Sequence, residues 1–90
     1  MILTTSLNNN MYKVIISETF QKEIESLRNK NLEQDIYKKL KTLEADADKY
    51  PYARHELRQY RKIRIGKLRV LYEIVGDIVY PKKLIKRHRY

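Results

Sequence analysis

Ninety residues carrying 20 Lys and Arg against 11 Asp and Glu have a formal charge of +9, and a chain of this length makes one domain that buries only about 60% of its unfolded surface. The absence of cysteine excludes disulfides and thiolate metal sites and fits a reducing interior, and two histidines without acidic residues at ligand spacing argue against a structural metal or any other cofactor. No stretch is long and apolar enough to span a bilayer, and the opening MILTTSLNNN lacks a basic leader, so the expected location is the cytoplasm.

Met1 to Asn10 shows no periodicity and is expected to form a frayed N-terminal extension, with residues 11–90 as the single domain. Tyr12 to Ile16 alternates as a first strand. Ser17 or Thr19 then caps a helix from about Glu18 to Arg28, which carries Phe20, Ile24 and Leu27 on one stripe. Asn31 followed by Gln34 resembles a capping box, and a second helix from about Leu32 to Lys49 places Leu32, Ile36, Leu40, Leu43 and Ala47 together. Two amphipathic helices joined by so short a link form an antiparallel hairpin. Tyr50-Pro51 ends the second helix, and Leu57 is the expected core anchor of the connection up to Gln59.

Tyr60 to Tyr90 reads YRKIRIGKLRVLYEIVGDIVYPKKLIKRHRY: three β-branched and aromatic runs separated by Gly66-Lys67 and Gly76-Asp77. Glycine at the first central position suits a two-residue type II′ turn, which fixes the register of both hairpins. Ile65 then faces Leu68, Arg64 faces Arg69 and Lys62 faces Leu71. Alternation puts Lys62, Arg64 and Arg69 on one side of the sheet and Ile63, Ile65, Leu68, Val70, Tyr72 and Ile74 on the other. The same counting adds Tyr80, Lys82 and Lys86 to the cationic side. It also sends Lys83 into the core, and with Pro81 nearby this argues for a bulge that reverses every later side chain.

The order strand, helix, helix, three strands describes an α+β domain, an antiparallel-rich sheet with a two-helix hairpin on one face and a basic open face. Charge is distributed accordingly: Met1 to Ala53 has eight basic and eight acidic residues, whereas Arg54 to Tyr90 has twelve basic and three acidic. Like charges opposite each other, as at Arg64 and Arg69, destabilise a sheet unless an anion meets them. One-sided placement therefore points to a polyanion, nucleic acid first and an acidic protein second; the bland alternative is a solvated basic surface. Arg69 also has a structural alternative in pairing with Glu73, two positions along on the same side.

The element order, the stretch from Ile63 to Ile74 and the closing His-containing basic tail resemble the RelE/ParE superfamily of type II toxin-antitoxin toxins. Leu68 stands where an aromatic is commoner. The superfamily contains ribosome-dependent mRNA endonucleases and DNA gyrase inhibitors, and the resemblance favours the RelE-like nuclease. Carried over position by position, it implies catalytic roles for Lys62, Arg64, Arg69, His88 and Arg89. The family commonly places a tyrosine several residues beyond the His-Arg pair; here Tyr90 follows Arg89 directly and is the candidate for that role. Tyr80, Lys82, Lys86 and Arg87 are expected to bind RNA, Tyr80 and Tyr90 by stacking on a base. Metal-independent cleavage needs fixed cations on the phosphoryl oxygens and a titratable group for the leaving oxygen, which these residue types supply. Implied partners are the ribosome, mRNA and an acidic, partly helical antitoxin through which any oligomer chiefly forms. A gyrase inhibitor and an inactive nucleic-acid-binding relative are the alternatives.

Overall fold

Gly66 and Gly76 both adopt left-handed backbone, with φ of 59° and 64°, while Lys67 and Asp77 do not, as a type II′ turn demands. Two tight hairpins follow, built from β2 (Arg61–Ile65), β3 (Leu68–Val75) and β4 (Ile78–Lys86). The structure, a computed structural model, describes residues 11–86; the expected extension Met1–Asn10 and the tail Arg87, His88, Arg89 and Tyr90 lie outside the described residues.

The sheet has the order β1-β4-β3-β2, and β1 (Lys13–Val14) runs parallel to β4, with Lys13 beside Ile78 and Val14 beside Val79. The first strand is thus far shorter than Tyr12–Ile16. Its main-chain bonds are Lys13 N–H to the Asp77 carbonyl at 2.8 Å and Ile15 N–H to the Val79 carbonyl at 3.0 Å. Sequence periodicity says that Val14 and Ile16 go inward, and both are fully buried; it carries no information about which strand they join.

Helix α1 (Glu18–Glu25) begins where the Ser17 hydroxyl accepts the Phe20 N–H at 3.1 Å. It ends three residues before the expected Arg28, because the Ser26 hydroxyl donates to the Glu23 carbonyl and Leu27 and Arg28 switch to tighter bonds with Ile24 and Glu25. Arg28 is left-handed (φ 52°) and reverses the chain. Helix α2 (Lys30–Asp46) then starts at Asn29, whose side-chain oxygen accepts the Leu32 N–H at 3.0 Å. Asn31, the expected cap, lies inside the helix: the reversal at Arg28 leaves Asn29 extended at the first position where a side chain reaches the free amides.

Helix α1 packs under β4, and α2 under β1 and β2. Phe20, Ile24, Ile36, Leu40, Leu43 and Ala47 meet Ile63, Ile65, Leu68, Val70, Tyr72 and Val79 in one core, with Leu27, Leu32 and Ile74 packed at its margin. Each fully buried large aliphatic contributes about 1.5–3 kcal/mol of transfer free energy. Leu57 is half-buried and outside this core. The connection is instead tied by polar groups: the Tyr72 hydroxyl donates to the Ala47 carbonyl at 2.5 Å, and the Arg61 guanidinium donates to the carbonyls of Tyr50 (2.6 Å) and Asp48 (3.1 Å) while lying 4.3 Å from the centre of the Tyr52 ring. Among the described residues no helix is long and apolar enough to cross a membrane.

Candidate nucleic-acid interface

The first hairpin keeps strict register, so Arg64 lies opposite Arg69 and Lys62 opposite Leu71. Ile63, Ile65, Leu68, Val70 and Tyr72 are buried beneath, Ile74 is half-buried, and Lys62, Arg64 and Arg69 project from the side the helices leave uncovered. Leu71 shares that side yet is 2% exposed. A buried leucine among cations lowers the local polarity and strengthens their mutual repulsion.

Two observations show that these cations are not neutralised by other described residues. The ion pairs among the described residues are Lys22–Glu18 and Lys49–Asp46, both in the helical half, so the structural alternative of an Arg69–Glu73 bridge is not formed. The Nε of Arg69 is buried and has no hydrogen-bond partner among the described residues. A buried donor left unmatched costs about 1–3 kcal/mol or more when charged, and such a group calls for a ligand.

The Lys62 amine is held below its ordinary pKa, first by burial and then by Arg69, Arg54 and Arg64. Arg54 belongs to the connection before β2 and was missed in the sequence, where nothing local marks it. Tyr52 bridges Arg61, and the amides of Lys62 and Ala53 donate to the carbonyls of Pro51 and Tyr60, which lays this connection along the outer edge of β2.

The second hairpin contains the expected bulge. Tyr72 lies opposite Pro81 but Leu71 opposite Lys83, so Lys82 is the extra residue. Tyr80, opposite Glu73, stays on the basic face, and Lys82 sits 5.3 Å from the centre of its ring. Beyond the bulge the faces exchange. Lys83 joins Leu71 on the basic side, and Lys86 falls opposite Leu68, on the helix side of the sheet at the strand end. The expectation that Lys86 lines the basic face is therefore corrected. Arg87, His88, Arg89 and Tyr90 lie outside the described residues.

The described face is thus Lys62, Arg64, Arg69 and Lys83, with Arg54 beside Lys62 and with Tyr80 and Glu73 toward β4. Neither concavity bordering the sheet is lined by Lys62 or Arg69. The geometry suits an extended polyanion lying across strands better than a small molecule enclosed in a cavity.

Residues 14–89 match a protein-family model described as the ParE toxin of the type II toxin-antitoxin system, parDE, and the chain belongs to that family. The match shows the ParE toxin family; it does not show the RelE branch that the resemblance favoured. Searches of curated proteins and of solved structures returned no match. Membership makes a cognate antitoxin the partner class.

Proposed function

We propose that this toxin arrests growth through the basic face of its sheet, acting in the ParE manner on DNA gyrase and its bound DNA, without metal or cofactor, until an acidic antitoxin segment covers that face. The observation that carries the reading is the convergence of Lys62, Arg64 and Arg69 on the uncovered side, with the Arg69 Nε buried and without a partner among the described residues. The family description supports gyrase before the ribosome. A guanidinium forks onto phosphate oxygens with charge-assisted bonds, and two opposed arginines are relieved of their repulsion when a phosphate enters between them.

A second reading, cleavage of ribosome-bound mRNA, is supported by the placement of Lys62 beside Arg64 and Arg69, where burial first and the neighbouring arginines second hold its amine below the ordinary pKa. A lysine crowded by arginines is more readily neutral, and a neutral amine can take the proton of a ribose 2′-OH. The 2′-oxygen then bonds to phosphorus, the bond to the 5′-oxygen breaks, and that oxygen needs a proton from an acid, for which His88 and Tyr90 are the candidates. Arg64 and Arg69 would carry the charge gathering on the phosphoryl oxygens.

Two assays on one protein preparation separate the readings. Purified gyrase should lose supercoiling activity in the presence of the protein, and Arg69→Ala should raise the concentration needed by about 10- to 100-fold, the worth of a charge-assisted contact. In a purified translation system, mRNA 5′ ends should be unchanged. New 5′ ends within ribosome-occupied codons that vanish in Arg69→Ala would replace the first reading with the second. Undiminished potency of Arg69→Ala in both assays would remove the basic face from either.

A further inference from the structure

Arg64 belongs to two surfaces. It projects from the basic face, and it also lines a separate groove of about 370 Å³ between α2 and the tip of the first hairpin, together with Asp35, Lys38, Lys39, Thr42, Ile65 and Gly66. Lys38, Lys39 and Arg64 are all exposed, and none forms an ion pair among the described residues. Asp35 is the one acid in the lining, so the groove keeps an excess of two positive charges at neutral pH.

The backbone adds a donor. Lys62 N–H points away from β3 and reaches the Pro51 carbonyl at 2.9 Å, so alternation along an antiparallel strand turns the Arg64 N–H to the same outer edge. There the bridging segment has already ended, because its partner on β2 is Arg61. The Arg64 amide therefore points to the outer edge of β2, where it has no backbone partner among the described residues.

We infer that this groove is a second phosphate subsite, and that a nucleic-acid strand held on the basic face continues around the outer edge of β2, past Gly66, to lie against Lys38 and Lys39. The inference rests on the reading of the basic face as a nucleic-acid surface. An acidic peptide is the competing occupant, and two features disfavour it. The open edge of β2 runs only from Ile63 to Ile65, bounded by the Tyr52–Arg61 bridge and by the turn, which is at the lower limit for adding a strand. The lining also offers one apolar side chain, Ile65, which is already buried in the core, so a peptide finds no anchor. A phosphodiester chain needs only separated point contacts with cations and amides.

The test measures binding of fluorescent single-stranded oligonucleotides, RNA and DNA, in a short and a long series, across a range of salt. Each phosphate neutralised on a single strand contributes about 0.7 to the slope of log affinity against log salt. Lys38→Ala/Lys39→Ala should flatten the slope for long oligonucleotides by about 1.4, so that between 50 and 200 mM salt the wild-type protein loses about sevenfold more affinity than the variant. Binding of the shortest oligonucleotides should be unchanged, whereas Arg69→Ala should weaken both lengths. Both lysines are exposed on α2 and alanine favours helix, so the double variant should fold; circular dichroism checks this. A wild-type slope in the double variant, with Arg69→Ala still impaired, overturns the groove alone and leaves the basic face standing. Loss of affinity for poly-glutamate with unchanged oligonucleotide binding assigns the groove to a protein partner and also overturns it. Unchanged binding in both variants overturns the groove and the basic face together.

Discussion

The two hairpins share β3 and close on the same kind of turn, yet they treat alternation differently. In β2–β3 every pair from Arg61–Tyr72 to Ile65–Leu68 is regular, so sequence parity alone decides which side chain faces water. In β3–β4 the ladder slips at Lys82, and the last residues of β4 change sides. The regular hairpin concentrates cations at the expense of opposing two arginines. The irregular one adds Lys83 to the same face and turns Leu84 back toward the core, where it packs at the margin. One unpaired residue therefore serves packing and charge at once.

Shifting the strand beyond the bulge by one residue is the severest way to break the comparison. Insertion of a second lysine between Lys83 and Leu84 places its charge opposite Val70 in the core and turns Leu84 out to the basic face, and should cost at least about 3 kcal/mol. Lys82→Ala, which keeps the residue count, should stay within about 0.5 kcal/mol. Chemical denaturation of the two variants side by side checks the contrast, and equal midpoints would show that the register is not what matters.

A milder change probes the likeness of the hairpins. Added methyl groups at Gly66 and Gly76 meet nothing within 4 Å, so alanine at either site is opposed only by the left-handed backbone. Gly66→Ala and Gly76→Ala should each cost about 1–2 kcal/mol, lowering the melting temperature by about 4–8 °C per kcal/mol. Unequal losses would show that one turn relaxes to another type.

The smallest expected effect concerns pH. Lys62 has a folded-state pKa below its ordinary 10.5, so over the interval between the two values the unfolded chain binds more protons and stability rises with pH. Tyr72, whose pKa burial pushes up, acts in the opposite sense above pH 10, since its hydroxyl ionises first in the unfolded chain. Subtracting the profile of Lys62→Met from that of the wild type isolates the lysine. A flat difference below pH 10.5 would mean that neither burial nor the neighbouring arginines lower the pKa of Lys62.

What could be read from the sequence follows the same division. Gly66 and strict period two place Lys62, Arg64 and Arg69 without any knowledge of the rest of the fold. Pro81 and the awkward position of Lys83 announce a bulge, but only the ladder shows that Lys82 is the extra residue and that Lys86 leaves the basic face. Arg54 was illegible because its place beside Lys62 is set by main-chain bonds between Pro51–Ala53 and Tyr60–Lys62, across a turn that no periodicity describes. The start of α2 was missed because Asn29 and Asn31 both precede a helical stripe, and the reversal at Arg28 decides between them.

The placement of β1 bears on the order of events during synthesis. Lys13 and Val14 are made early, but their neighbours in the sheet are Ile78 and Val79, made 65 codons later. A growing chain has no shelf for that segment until the second turn has been translated, and such distant pairing is slow to form. The toxin therefore takes shape only once β4 has been made, and a ribosome halted before Ile78 carries a chain whose first strand has no neighbour to join.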